Sequence, residues 1–193
     1  MKFNKLLILI LGVLILNSCT KSPYDKMVRE ELSKNIILDS LPFNFRFGDS
    51  KQHFFERCMA LNKQEIIKEG PNNKYVQYTL TAKNEKDSNI QMLFYGIFDK
   101  TNTMTGMDFK FCYNYWSAWS DEYNAQSLVP KLKDTLLKWY PGNNFIPIKI
   151  PATEIDAFVK VDANRQILMY VDDNKDVTVK IEDLRTKYLT KFN

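Results

Sequence analysis

The chain opens with an unbroken apolar stretch at residues 6–16, which follows two lysines, Lys2 and Lys5. A helix needs about 18 apolar residues to cross a bilayer, so this stretch is too short to be a transmembrane span. A basic start, a short apolar stretch and small residues after it form the layout of a secretory signal. The pattern predicts that residues 1–18 are a signal peptide and that the mature chain is exported.

The next part of the chain has the pattern of a helix followed by three strands. A helix over residues 50–62 is predicted because apolar side chains recur there at helical spacing; Asp49 and Gln52 are spaced as in a capping box at its start. Three rings before this helix alternate with polar residues, which predicts a short strand or an extended lead-in to the helix: Phe43, Phe45 and Phe47. Strands with turn-rich links are then predicted at 74–82, 90–98 and 104–116.

After residue 120 the same pattern begins again. Leu128, Leu132, Leu136 and Trp139 lie on one face of a predicted helix, for which Ser127 is a candidate cap and in which Pro130 fits only within the first turn. Short strands are predicted at 145–150, 155–161, 166–171 and 177–181, and a short last helix follows.

Strands joined by short turns pair antiparallel, so the predicted fold class is α+β, an antiparallel sheet with helices on one face. Residues 19–40 are expected to form a tether, in which 24–34 is either a short helix or a mobile stalk. Residues 41–193 are expected to form the folded domain. The restarting pattern suggests two tandem helix-plus-sheet units, at 41–116 and 120–193.

The signal ends in Leu16, Asn17, Ser18 and Cys19, which resembles the lipobox of bacterial lipoproteins. This resemblance implies cleavage before Cys19 and a diacylglycerol (with palmitate-like acyl chains) on its sulfur, and several acyl chains together bind a membrane almost permanently. An ordinary signal with a chance cysteine is the alternative. Thr20 and Lys21 carry no acidic signal, which favours the outer membrane of the cell envelope.

A second resemblance rests on Gly48, Asp49, Ser50 and Lys51 with two following phenylalanines and a closing Gly-Pro turn at residues 70–71. This segment is similar to the start of small envelope lipoproteins of the SmpA/OmlA type, and residues 91–108 are similar in outline to their last two strands. Two such units in tandem make up the β-lactamase inhibitor protein. The resemblance implies this inhibitor-like fold and non-enzymatic protein binding at the outer membrane.

The net charge of +4 falls by two when residues 1–18 are removed, and lysines interleave with acids along the chain. Proteins that bind nucleic acid usually carry a concentrated basic stripe, so no nucleic-acid partner is expected. Cys58 and Cys112 remain in a compartment that permits disulfides. Because their patterns place them on opposite sides of the sheet, two separate buried thiols are expected rather than a bond.

The sequence offers few candidate residues for catalysis or for metal binding. His53 is the single histidine, so it would have to serve any histidine-dependent nucleophilic site, and zinc lacks its usual three or four ligands. No cofactor is expected. Asp172, Asn174 and Asp176 match the opening of a calcium loop, but the glycine that such a loop needs is absent and acids favour tight turns, so a hairpin turn is expected.

Tyrosine and tryptophan cluster where the third strand runs into the next helix, and both residue types anchor protein interfaces. The candidate binding residues are Tyr113, Tyr115, Trp116, Trp119 and Tyr123. The same rings could instead fill the core. The leading hypothesis is an envelope lipoprotein that binds or scaffolds another protein and is not an enzyme. The alternatives are a module that binds or senses a small apolar ligand or a glycan, and a hydrolase with two carboxylates in a deep cleft.

Overall fold

The computed structural model describes residues 22–71, 74–151, 153 and 155–188. The signal, Cys19 and the first residues of the tether lie outside these ranges. The helices are α1 (Pro23–Ser33), α2 (Lys51–Lys63), α3 (Ala125–Trp139) and α4 (Arg185–Tyr188), with a 3-10 turn at Pro42–Asn44. The strands are β1 (Lys68–Glu69), β2 (Val76–Leu80), β3 (Ile90–Phe98), β4 (Met104–Tyr113), β5 (Ile146–Lys149), β6 (Asp156–Asp162), β7 (Arg165–Val171) and β8 (Val177–Asp183).

All eight strands form one antiparallel sheet in the order β1-β2-β3-β4-β8-β7-β6-β5. Each half of the chain contributes a helix and then a four-stranded meander, and the last strands of the two meanders pair at the centre. The predicted α+β class with an antiparallel sheet is therefore confirmed.

The main core lies between one face of the sheet and the helices α2 and α3. Leu128, Leu132 and Leu136 are buried on α3, as their spacing predicted, and they share a cluster with Phe54 of α2 and Phe109 of β4. Burying such side chains contributes about 1.5–3 kcal/mol each relative to exposure. The packing of both helices on this face holds the connection between β4 and α3 at one end of the strands.

The helix α1 packs on the opposite face of the sheet. Val28 contacts the cluster of Val159, Val161 and Leu184, and the Ala163 amide donates to Glu31 Oε2 at 2.9 Å. The sequence left this segment open between a helix and a mobile stalk. The structure shows a helix that is part of the folded domain, because its apolar stripe covers β6.

Several local predictions were wrong. The side chains of Phe45 and Phe47 are buried, but these residues lie in irregular chain and not in a strand, since Phe43 and Asn44 take positive φ in the 3-10 turn. The cap of α2 is Ser50, whose Oγ accepts from the His53 amide, rather than Asp49. The cap of α3 is Asn124, so Pro130 lies beyond the first turn.

Within the described residues, no helix combines the length and the apolar character that crossing a bilayer requires. Cys58 and Cys112 are separate thiols, as predicted; Cys112 is buried as expected, whereas Cys58 is only half-buried. Burial raises the pKa of each thiol to about 11.

Candidate functional site

The connection between β4 and α3, residues 114–124, carries most of the aromatic residues that the sequence singled out; we call it the aromatic linker. Its backbone is held to the neighbouring loop, because the Asn114 amide donates to Asn89 O at 2.8 Å and the Tyr115 amide donates to Ser88 Oγ at 2.9 Å. Ser88 itself is buried. The first two residues of the linker are therefore held in place against this loop.

The structure separates the five candidate rings by exposure. Tyr113 ends β4 and is buried, whereas Tyr115 was predicted on the same strand face and is 58% exposed because β4 ends before it. Trp119 is 95% exposed, the most exposed of the large apolar side chains in the described residues. Trp116 and Tyr123 are half-buried against the core.

Tyr123 connects the buried ring to the exposed one. Its ring meets Tyr113 edge-on at 5.3 Å between centroids and meets Tyr115 edge-on at 5.8 Å. Its hydroxyl donates to Lys86 O at 3.4 Å. Desolvation and the Glu122 carboxylate raise the pKa of Tyr123, so the phenol keeps the proton that it donates. The rings of Tyr113, Tyr123 and Tyr115 thus form a row of edge-to-face contacts that links both ends of the aromatic linker.

Two lysines and one unpaired donor complete the polar character of this surface. Lys131 Nζ lies 5.1 Å from the centroid of Tyr113, and Lys175 Nζ lies 5.5 Å from that of Trp116, both within cation–π range. Trp116 Nε1 is buried and has no hydrogen-bond partner among the described residues. Because this nitrogen is buried, it is not accessible to a partner that docks on the surface as the structure stands.

The turn at Asp172, Asn174 and Asp176 is the hairpin between β7 and β8, as predicted. Asp173 Oδ1 accepts from the amides of Lys175 and Asp176 at 2.7 Å each, and Asp172 pairs with Lys110 at 2.5 Å. These contacts account for the acids as turn formers. In the described ranges, no three of the His, Cys, Asp and Glu side chains are grouped to hold a metal ion.

His53 and the buried carboxylates were the remaining candidates for catalysis. His53 is half-exposed on α2, with Nε2 4.0 Å from Asp49 Oδ2. Burial raises the pKa of Asp108 and of Asp176, but each of these carboxylates lies near lysines that oppose the shift. Neither Asp108 nor Asp176 lines the cleft beside Phe43 or the apolar groove beside α1.

A cleft that the sequence did not reveal lies between the 3-10 turn, β2 and the end of α3, with a volume of about 480 Å³. Its aromatic lining comprises Phe43, Tyr78, Trp139 and Tyr140. The ring of Phe43 stacks on Phe94 at 5.1 Å and meets Tyr78 edge-on at 5.1 Å. The backbone of Phe43 has a φ of 58°, which is rare for an aromatic residue. Because Phe43 alternates with Phe45 in the sequence as strand residues do, the sequence pattern did not predict this turn.

No protein-family model, curated protein or solved structure matches this chain. The resemblances to the lipobox, to SmpA/OmlA-type lipoproteins and to the β-lactamase inhibitor protein therefore stay predictions that rest on the residues alone.

Proposed function

We propose that this chain is a lipoprotein of the cell envelope, anchored through Cys19 in the outer membrane, whose domain binds another protein through the aromatic linker and is not itself an enzyme. The signal pattern and the lipobox support the anchor. The observation that carries the binding role is Trp119, which is 95% exposed on the aromatic linker, four residues after Tyr115, whose amide is held to Ser88.

Exposure of a tryptophan to this extent leaves a large apolar surface in water. An aromatic side chain buries about 150–250 Å² when it is covered, which at about 25 cal/mol per Å² is roughly 4–6 kcal/mol of gross stabilisation. Tryptophan is highly buried on average in folded proteins, and it is enriched among the residues that dominate protein interfaces. A protein partner that covers Trp119 would gain this stabilisation.

The ordered start of the linker adds to the case. Ordering a side chain or loop at an interface costs about 0.5–1.5 kcal/mol for each immobilised side chain. The hydrogen bonds to Ser88 and Asn89 and the edge-on contact with the ring of Tyr123 order Tyr115 before a partner arrives. Tyr115, which is 58% exposed, is thus presented to a partner with part of that cost already met.

The test is photo-crosslinking in intact cells, with a photoreactive phenylalanine at position 119 and, as a matched control, at Met59. Met59 is 59% exposed on α2 and lies outside the linker. We expect a protein adduct at position 119 that the control does not give. Identical adducts at both positions, or none at 119, would exclude the linker as the binding surface.

Once the partner is identified, Trp119→Ala should weaken its binding about 30-fold, since an interface hot spot contributes about 2 kcal/mol or more. Met59→Ala should leave the affinity unchanged. Neither variant should change the midpoint of unfolding, because both side chains are largely in solvent.

A second candidate function is supported by the aromatic cleft beside Phe43. A cavity of about 480 Å³ with an aromatic lining has the size and character of a small-molecule site, and a small apolar ligand or a glycan would stack on its rings. Trp139 lines this cleft and is 39% exposed. Titration with chitin oligosaccharides and with a long-chain fatty acid should then quench Trp139 fluorescence saturably, and Trp139→Phe should abolish the signal. A linear or absent response to both ligands excludes this function.

A further inference from the structure

An apolar groove lies beside the first residues of α1, at the β5 edge of the sheet. Its volume is about 610 Å³, and most of its lining is apolar. The lining residues that matter here are Pro23 and Tyr24 of α1, Ile148 of β5, Ile150 and Pro151 just beyond it, and Leu168 of β7.

The groove lies within a short, fixed reach of the proposed lipid anchor. Cys19 precedes Ser22, which also lines the groove, by only three residues. A fully extended chain spans at most about 3.6 Å per residue, so the sulfur-bearing residue lies within roughly 11 Å of Ser22. This step rests on the proposed lipidation of Cys19.

The helix α1 fixes that anchor point relative to the sheet. Val28 is buried against Val159 and Val161 of β6. Tyr24 Oη donates to Gln166 Oε1 of β7 at 2.5 Å, and Ser22 caps the helix by accepting from the Asp25 amide. The lipid on Cys19 is therefore connected to the domain through a packed helix. The position at which α1 begins then determines how the domain is oriented relative to the bilayer.

The chemistry of the β5 edge suits lipid better than a protein strand. Pro147 lies within β5 and has no amide proton to donate, so the edge resists pairing with a strand from another chain. Pro147 and Pro151 are exposed, and Ile155, which directly precedes β6, is 37% exposed. An edge of prolines and isoleucines can lie at the headgroup boundary, where apolar side chains are covered by lipid.

We infer that the β5 edge and its apolar groove rest on the headgroup region of the bilayer that holds Cys19, so that the sheet stands edge-on to the membrane with β5 near it and β1 far from it. Seven strand spacings of about 4.8 Å separate these two edges, which is roughly 34 Å.

The test compares two exposed lysines on the opposite edge strands, Lys149 of β5 and Lys68 of β1. Each is changed to cysteine in the full chain, which is purified with its lipid from a bacterial host that acylates lipoproteins. A fluorophore is attached at pH 7 in a short reaction. The native thiols of Cys58 and Cys112 react little, because burial raises the pKa of each to about 11 and leaves roughly 300-fold less thiolate than at an exposed cysteine.

The labelled proteins are placed in phosphatidylethanolamine–phosphatidylglycerol vesicles that carry a nitroxide on the lipid headgroup. We expect the emission of the Lys149→Cys probe to be quenched and that of the Lys68→Cys probe to be unchanged. Quenching of both probes means that the sheet lies flat, and quenching of neither means that the domain stands away from the membrane. Either outcome, or stronger quenching at position 68, overturns the inference.

Mass spectrometry of the same samples separates this inference from the proposed function. A diacylglycerol on Cys19 together with the wrong quenching pattern overturns only the orientation and leaves the lipoprotein proposal in place. A chain without acyl groups at Cys19 overturns both.

Discussion

Lys160 is fully buried on β6, beneath the end of α3, so its charge has to be matched by neighbouring groups. Its Nζ donates to Tyr140 O at 2.5 Å and lies 3.0 Å from Asp162 Oδ2. The second contact is off the line of a hydrogen bond, so it acts as an ion pair. Asp162 Oδ1 also accepts from the Asn143 amide at 2.7 Å.

Lys160→Met keeps the length of the side chain and removes its charge. The Asp162 carboxylate, which is 8% exposed, would then lose its direct ion-pair partner and keep its electrostatic interaction with Arg165 on β7, and Tyr140 O would lose its donor. Removing one partner of a buried ion pair costs about 3–5 kcal/mol. For a chain of this size each kcal/mol lowers the midpoint of thermal unfolding by about 2–4 °C, so we expect a decrease of roughly 6–20 °C.

The control is the double variant Lys160→Met with Asp162→Asn, in which both charges are removed and the amide oxygen still accepts from Asn143. Because a buried ion pair replaced as a unit is often neutral, the double variant should be more stable than Lys160→Met alone. Thermal unfolding followed by circular dichroism gives the midpoints of Lys160→Met, of Asp162→Asn and of the double variant. If the effects of the two single changes simply add in the double variant, the ion-pair explanation is refuted.

Three further predictions follow from single sites. The thiols of Cys58 and Cys112 should react slowly with a chromogenic disulfide at pH 8 and rapidly in urea, because burial raises the pKa of both to about 11; fast reaction in the folded chain would contradict their burial. Gly142→Ala should lower stability by at least about 1 kcal/mol, since φ there is 143° and a Cβ would lie 2.2 Å from Asp162 Oδ1; an unchanged urea midpoint would contradict this geometry. Desolvation raises the pKa of Glu31, but three hydrogen-bond donors together lower it below its usual 4.5. Those donors are Lys34, the Ala163 amide and Asn143. The stability that Glu31 contributes is therefore present above about pH 4.5, and it is lost as the pH falls through the lowered pKa of the folded state. The difference in unfolding free energy between the parent and Glu31→Gln should accordingly shrink below pH 4.5.

Regular periodicity made much of the fold predictable from the sequence. Leu128, Leu132 and Leu136 recur at helical spacing on a single face, and residues 90–98 form a strand with the predicted bounds because their hydrophobic stretch ends in turn residues on both sides. The pairing of β4 with β8 could not be predicted in the same way. It joins segments about 70 residues apart through side-chain packing, and no local pattern encodes that choice.

The aromatic residues show where pattern stops being informative. Phe45 and Phe47 alternate as strand residues do, yet they reach the core from a turn, since only the packed structure decides which backbone brings a ring inside. Tyr113 and Tyr115 share a predicted strand face, but one is buried and the other exposed because the strand ends between them. The exposure of Trp119 depends on the same residue at which β4 ends, and strand propensity alone does not determine that residue.

The aromatic linker and the β5 edge lie at the same end of the strands. In the antiparallel sheet, Tyr113 ends β4 at the end where Lys149 ends β5, with β8, β7 and β6 between them. Four strand spacings of about 4.8 Å place the two features roughly 19 Å apart. If the β5 edge rests on the bilayer, the end of β4, where the aromatic linker begins, stands roughly 19 Å above the headgroups. A partner that covers Trp119 would then have to reach about this far from the membrane surface, so a protein crosslinked at position 119 should either fractionate with the membrane or carry a domain that extends to this height.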